Sequence, residues 1–131
     1  MDAIEPEGIS RGGAYSTAVV AGDFLFVAGQ TPRDANRKII GKTIEEQTAA
    51  TMDNLGAILS ATGASFDDVV KATVHLKNLD DAPQFNAVYS RYFPGAKPVR
   101  TTVGSQLNGV LVEIDVIAFV GRQNNQAEVG R

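Results

Sequence analysis

The sequence predicts a single α+β domain, a mostly antiparallel sheet with two helices on one of its faces. Three observations carry that expectation. Short β-prone runs alternate with two stretches of helical periodicity, in the order ββ(β)αβαββ. A chain of 131 residues, 44% hydrophobic and 21% charged, suits one globular domain spanning 1–131. Periodicity is missing only at the ends, 1–10 and 121–131, which read as loose.

Residues 14–20 and 24–28 are β-prone runs around Ala21-Gly22-Asp23, a hairpin signature. Gly29, Pro32, Asp34 and Asn36 mark a loop, with a possible short strand at 38–40. Thr43-Ile44-Glu45-Glu46 has the form of a capping box. The helix it opens runs to about Thr62, with Ile44, Gln47, Thr48, Met52, Leu55 and Leu59 on one stripe and Gly63 as the stop. Residues 69–77 alternate, Val70, Ala72, Val74 and Leu76 against Lys71, Thr73, His75 and Lys77. Asp80 or Asp81 is placed to cap a second helix, with Pro83 in its first turn, Phe85, Val88, Tyr89 and Tyr92 inward, and Pro94 ending it. Strands at 99–104 and 110–120 complete the domain.

The residue inventory removes several classes of function. A formal net charge of −3 argues against a general nucleic-acid or anionic-membrane binder, which needs a basic footprint. With no cysteine, disulfides, thiolate nucleophiles, zinc–thiolate and iron–sulfur sites are excluded. His75 is the single histidine, so no multi-histidine metal site forms within one chain. Asp67-Asp68 and Asp80-Asp81 read as loop or cap carboxylates, not metal ligands. The N-terminal MDAIEPEGIS is acidic and lacks the apolar run of a signal peptide. No stretch approaches the roughly 18 apolar residues of a membrane span, so a cytoplasmic location is expected.

Asn108-Gly109 between two β-rich runs is a hairpin signal, because both central residues of a type I′ turn take positive φ. If Leu107 and Val110 flank that turn, Gly104 opposes Glu113, Thr102 opposes Asp115 and Arg100 opposes Ile117. Arg100, Thr102, Leu111, Glu113, Asp115, Ile117 and Phe119 then share one face, and the small apolar set Val112, Ile114, Val116 and Ala118 lies on the other, beneath the helices. The first face mixes charges with Leu111, Ile117 and Phe119 and is left open, so the domain is expected to oligomerise through it. Its charges would line clefts between subunits. Arg100 offers a planar fork that grips a carboxylate, and a shielded acid beside it is a general base toward water. An arginine and an acid on one sheet face more commonly form a structural ion pair. In this register Arg100 and Glu113 are also about four residues, roughly 13 Å, apart along the strands. They cooperate only across a substrate-filled gap or between subunits. His75, on a strand's polar face, and Tyr15, after the flexible Gly12-Gly13-Ala14, are lesser candidates. Gly12-Gly13 and Gly29 lack the strand–GxGxxG–helix context of a nucleotide site.

Six blocks in order, Gly13-Ala14-Tyr15-Ser16, Phe26-Val27-Ala28-Gly29-Gln30-Thr31-Pro32, Val70-Lys71-Ala72-Thr73-Val74, Phe85-Asn86-Ala87-Val88-Tyr89, Pro98-Val99-Arg100-Thr101 and Val112-Glu113-Ile114-Asp115-Val116-Ile117-Ala118, resemble the reactive intermediate deaminase (RidA, or YjgF) family. The resemblance covers roughly residues 10–120. It implies a chorismate-mutase-like α+β fold, a homotrimer with ligand clefts between subunits, and hydrolysis of 2-imino acids (2-iminopropanoate, 2-iminobutanoate) to 2-oxo acids and ammonia, with no cofactor. It also implies two catalytic positions, Arg100 on the substrate carboxylate and Glu113 on the attacking water. Tyr15 matches a cleft tyrosine, Asn86 a helix asparagine near the site, and Gly29 a loop glycine whose backbone approaches the ligand. Ala28 stands where the deaminase subgroup typically has serine and Thr102 where it often has cysteine, which leaves the substrate open. Two alternatives remain: a non-catalytic small-molecule binding or regulatory trimer using the same cleft, and an endoribonuclease or translation-inhibitor type of member. The acidic balance and the lack of a histidine acid/base pair disfavour the latter.

Overall fold

Helix α1 (Ile44–Ala61) opens on the reciprocal bonds its sequence encodes. Thr43 Oγ1 accepts from the Glu46 N–H at 3.1 Å, and Glu46 Oε1 accepts from the N–H groups of Lys42 and Thr43 at 3.1 and 3.2 Å. Those backbone donors, Lys42 first, hold the Glu46 carboxyl below the usual range. Gly63, at φ 76°, carries the chain out of the helix in a conformation other residues resist. The expected stripe of Ile44, Gln47, Thr48, Met52, Leu55 and Leu59 is buried. Helix α2 (Ala82–Tyr89) starts differently from expectation. Asp81 stands at its N-cap position but makes no side-chain cap bond; a 3-10 turn at Leu79–Asp81, held by Asn78 Oδ1 accepting from the Asp80 N–H at 3.0 Å, leads straight into it. Phe85, Val88 and Tyr89 are buried, whereas Tyr92 lies past the helix and donates its hydroxyl to Asp53 Oδ1 at 3.0 Å.

The computed structural model describes residues 1–121, so the expected loose tail lies outside the described residues beyond Gly121. Six strands form one sheet: β1 (Asp2–Ile4), β2 (Ala18–Ala21), β3 (Phe24–Gln30), β4 (Val69–Leu76), β5 (Val99–Gly104) and β6 (Val112–Phe119), in the order β1-β2-β3-β6-β4-β5. The N-terminal segment 1–10 is therefore not loose throughout, since β1 pairs with β2. The hairpin at Gly22-Asp23 forms as expected, but β2 begins at Ala18, leaving Tyr15 before it. At 38–40 only a single bridge forms, Ile39 to Arg33. Both helices cover one face, over Leu25, Val27, Ala72, Val74, Leu76, Val112, Ile114, Val116 and Ala118.

The largest departure concerns the last two strands. They do not pair. β5 runs parallel to β4 at the sheet edge, and β6 inserts between β3 and β4, antiparallel to both. Gly109 does take a positive φ of 81°, yet Asn108 does not, so the type I′ turn is not made. Instead 105–111 steps across the end of β4, where Ser105 N–H donates to Leu76 O at 2.9 Å and Lys77 N–H to Leu111 O at 3.0 Å. Local turn chemistry loses here to burial. β6 alternates buried residues on the core side with partly buried ones on the other, the pattern of a central strand.

The new register moves Arg100 and Thr102. They stand opposite Ala72 and Val74, on the helix-covered face, while Glu113 and Asp115 stand opposite His75 and Thr73 on the open face. The expectation that Arg100 shares a face with Glu113 is thus overturned. Val70 is also misplaced by simple alternation: an irregularity between Val69 and Lys71 turns Val69 inward and leaves Val70 exposed. Phe24, Phe26, Ile117 and Phe119 form an apolar field on the open face, Phe24 and Phe119 in edge-to-face contact at 5.5 Å, while Leu111 is partly buried against the core.

Asp115 sits beside that field. Burial pushes its carboxyl pKa up, opposed by the charges of His75 and Lys71. An acid whose folded-state pKa exceeds its unfolded value carries a cost at neutral pH that vanishes once both states are protonated. Asp115→Asn should therefore resist urea better than the parent at neutral pH, and the two should converge below about pH 4. A parent protein more stable than the variant at neutral pH would show the opposite balance, in which His75 and Lys71 outweigh burial.

Candidate functional site

β3 and β6 stay in register from Phe24 opposite Phe119 to Val27 opposite Val116, then slip, so that Ala28 and Gly29 together face Asp115 and Gln30 pairs with Ile114. Such a bulge re-aims the strand at that point. Here it brings the Gly29 backbone against the Glu113 side chain. A Cβ on Gly29 would lie 2.7 Å from Glu113 Oε2 and 2.9 Å from its Cδ. The glycine is needed for space, not for an unusual φ. Tyr15 closes the same spot from the segment before β2: its hydroxyl accepts from the Gly12 N–H at 3.1 Å, and Arg11 Nη1 donates to its carbonyl at 2.8 Å. The residue stays 44% exposed, so Tyr15 is no core residue.

Tyr15, Gly29 and Glu113 line two adjoining recesses. One, of about 280 Å³, is completed by Ala28; the other, of about 220 Å³, runs toward Arg33 and Arg37. The structure thus unites three of the expected site residues. Arg100 and Asn86 are elsewhere. The Arg100 guanidinium lies over the Tyr89 and Phe85 rings, 4.9 and 5.4 Å from their centroids, an arrangement that orients a cation while leaving N–H donors free. Burial raises the Tyr89 pKa, and the Arg100 charge pulls the other way. Asn86 is exposed on α2, one residue after Phe85. Thr102 Oγ1, on the same face of β5 as Arg100, is buried without a hydrogen-bond partner among the described residues. The sheet therefore separates the Tyr15, Gly29 and Glu113 recess from Arg100 and Thr102.

Further polar groups near the second recess were not singled out by sequence. Gln30, Thr31, Arg33, Arg37, Asn54 and Asn108 all reach it, most from loops where no periodicity marks them. The signal available was weak: two arginines in Pro32-Arg33-Asp34-Ala35-Asn36-Arg37, next to a glycine of the site. His75 is away from these recesses, its Nδ1 2.7 Å from Ser105 Oγ. Among the described residues, no group of three or more His, Cys, Asp or Glu side chains is arranged to hold a metal ion, and no helix is long and apolar enough to cross a membrane.

Residues 7–120 match the family described as endoribonuclease L-PSP. A RutC family protein of Saccharolobus solfataricus is 48% identical over 109 residues, covering 81% of this chain and 86% of its own length. Among solved structures, YyfA of Yersinia pestis, a Rid-family protein, is similar with a TM-score of 0.86 and 35% identity, over 91% of this chain and 98% of its own. TdcF of E. coli, solved with bound serine, is similar with a TM-score of 0.83 and 28% identity, over 91% and 98% respectively. The bulge that sets Glu113 against Gly29, the strand order and these likenesses lead to one assignment: the chain belongs to the endoribonuclease L-PSP family, the YjgF/RidA family that its six sequence blocks resemble.

Proposed function

We propose that the chain is a hydrolytic deaminase of 2-imino acids, acting as a homotrimer in which the Tyr15, Gly29 and Glu113 recess of one subunit meets Arg100 and Asn86 of the next. The observation that carries this reading is the division of the site. Glu113 and Arg100 face away from each other across one sheet, and the ion pair found among the described residues, Arg11 with Glu5, involves neither. A second copy covering the Phe24, Phe26, Ile117 and Phe119 field offers a way to join them. TdcF, with its bound serine, supports a ligand that carries an α-carboxylate.

In this reading the Arg100 fork holds the substrate carboxylate. Glu113 takes a proton from water as its oxygen bonds to the imine carbon, and the C=N π electrons become a lone pair on nitrogen. Nitrogen takes that proton from Glu113, the new hydroxyl then passes its own proton to nitrogen by way of Glu113, and ammonia leaves as C=O forms. One water and one 2-imino acid give one 2-oxo acid and one ammonia. The backbone at Ala28 and Gly29 flanks the reacting carbon, so much of the acceleration comes from orientation.

Ammonia release above the spontaneous rate, from 2-iminopropanoate made in situ by an amino-acid oxidase, is the direct test. Saturable binding of 2-oxobutanoate with no release would leave a binding trimer instead. Sedimentation velocity should give a trimer at micromolar concentration; a stable monomer with full activity would end the shared-site reading. Arg100→Ala should lower kcat/KM by roughly 30- to 1,000-fold, from the loss of a bidentate carboxylate contact of about 2–4 kcal/mol. Arg100→Lys should do almost as badly, because a point charge cannot reproduce the fork. Glu113→Gln keeps shape and hydrogen-bonding reach but no basicity, so kcat should fall by about 10²-fold or more with little change in KM or assembly. A drop in melting temperature with kcat intact would make Glu113 scaffold.

A further inference from the structure

The second recess holds more positive charge than hydrolysis of a small imine uses. Its lining includes Arg33 and Arg37, with Glu113 at the wall shared with its neighbour. Both arginines are held in place. Asn54 Nδ2 donates to Arg33 O at 2.9 Å and to Thr31 O at 3.1 Å, while Arg33 Nη2 donates to Asn108 O at 2.9 Å, tying the loop to the crossing at 105–111. Arg37 is the one non-glycine residue among those described with a positive φ, 66°. Side chains with a Cβ resist that conformation, and such strain persists where the surroundings enforce it. Here Asp34 enforces it: Asp34 O accepts from the Arg37 N–H at 3.0 Å, and Asp34 Oδ1 accepts from the N–H groups of Asn36 and Lys38 at 2.9 and 3.0 Å. The turn sends the Arg37 guanidinium over the 10–12 segment, with Nη1 3.4 Å from Ser10 Oγ. Gly12 makes the room, since a Cβ there would lie 2.7 Å from Arg37 Nη2.

Asp34, the nearest acid in sequence, is thus engaged with backbone amides, and no carboxylate pairs with either arginine among the described residues. Each guanidinium has five N–H donors, and the hydrogen bonds above use one on each. Two cations lining one recess, with most of their donors free, favour an anion bound there. The recess thus carries both the Glu113 carboxylate and the two guanidinium groups in its lining.

We propose that Arg33 and Arg37 form a second anion subsite, so that the preferred substrate is a 2-imino acid whose side chain ends in an acidic group. This rests on reading the Glu113 recess as the deaminase centre. The α-carboxylate goes to Arg100 and the distal acid to the arginine pair, and the imine carbon is held between them beside Glu113. An uncharged side chain leaves the arginine pair without a partner.

The test compares 2-iminoglutarate with 2-iminopropanoate, each made in situ by an amino-acid oxidase. The expected kcat/KM is about tenfold or more higher for the dicarboxylic imine, a difference of about 1.4 kcal/mol. Arg37→Asn, which tolerates the left-handed backbone, and Arg33→Gln, which can still donate to Asn108 O, should each reduce that ratio by about tenfold. Equal kcat/KM for the two imines, or a ratio unchanged in both variants, overturns the subsite. Calorimetric binding of 2-oxoglutarate against 2-oxobutanoate separates this from the deaminase reading. Tighter 2-oxoglutarate binding that both variants erase, with no ammonia from either imine, removes the deaminase and keeps the subsite. Equal binding of the two oxo acids removes the subsite whatever the turnover. 3-Phosphohydroxypyruvate, a 2-oxo acid whose side chain ends in phosphate, distinguishes the acids in the same titration: tighter binding than 2-oxoglutarate makes the distal group a phosphate, in support of the same site.

Discussion

Strand β6 is hydrogen-bonded along both edges, to β3 and to β4, and its two faces serve different ends. Val112, Ile114, Val116 and Ala118 go to the core, and Glu113, Asp115, Ile117 and Phe119 to the other side. The core residues fix the register, because a slip of one residue would exchange the two sets and bury Glu113 and Asp115 among aliphatic side chains. The placement of Glu113 is therefore a by-product of hydrophobic packing one residue away. The bulge in β3 then brings the Gly29 backbone close to that carboxylate.

Much of the scaffold was legible in the sequence. The Thr43 box, the buried stripe of α1, its glycine stop and the Gly22 hairpin all rest on neighbours a few residues apart, which a linear pattern records. What misled was the pairing of the final strands. Asn108-Gly109 has the composition of a tight hairpin, but whether two adjacent runs pair depends on a third strand far away in the chain. β4 takes β5 on one edge and β6 on the other, so the turn becomes a crossing. The face of Arg100 followed from that mistaken pairing, and the inward turn of Val69 from an irregularity that alternation cannot show. Tyr15, Gly29 and Glu113 converge as their sequence blocks implied, while Arg33 and Arg37 escaped notice because a loop residue's direction is set by turn geometry, not by period.

The Glu113 recess and the Arg100 face are built by unlike means. Glu113 and Gly29 are positioned by backbone pairing within the sheet, which is stiff. Arg100 is steadied by aromatic faces at the sheet edge, on a strand paired along one side only. The edge is the more adaptable half, suited to adjust against whatever surface it meets, while the acid and the bulge keep a fixed frame. Arg33 and Arg37 extend the lining of the recess through loops, with Asp34 and Asn54 in place of strand pairing.

The alternation of β6 also governs which changes in chain length this fold can absorb. The 105–111 crossing and the 31–43 loop join their elements through a few bonds each, so residues can be gained or lost there while the sheet is undisturbed. Inside β6 a single inserted or deleted residue reverses the facing of everything beyond it, core and acid together. Drift in length is thus channelled into the loops around Arg33, Arg37 and Asn108, while Glu113 keeps its spacing to Gly29. Related chains can diverge along one part of the recess while the strand pair beside it stays the same.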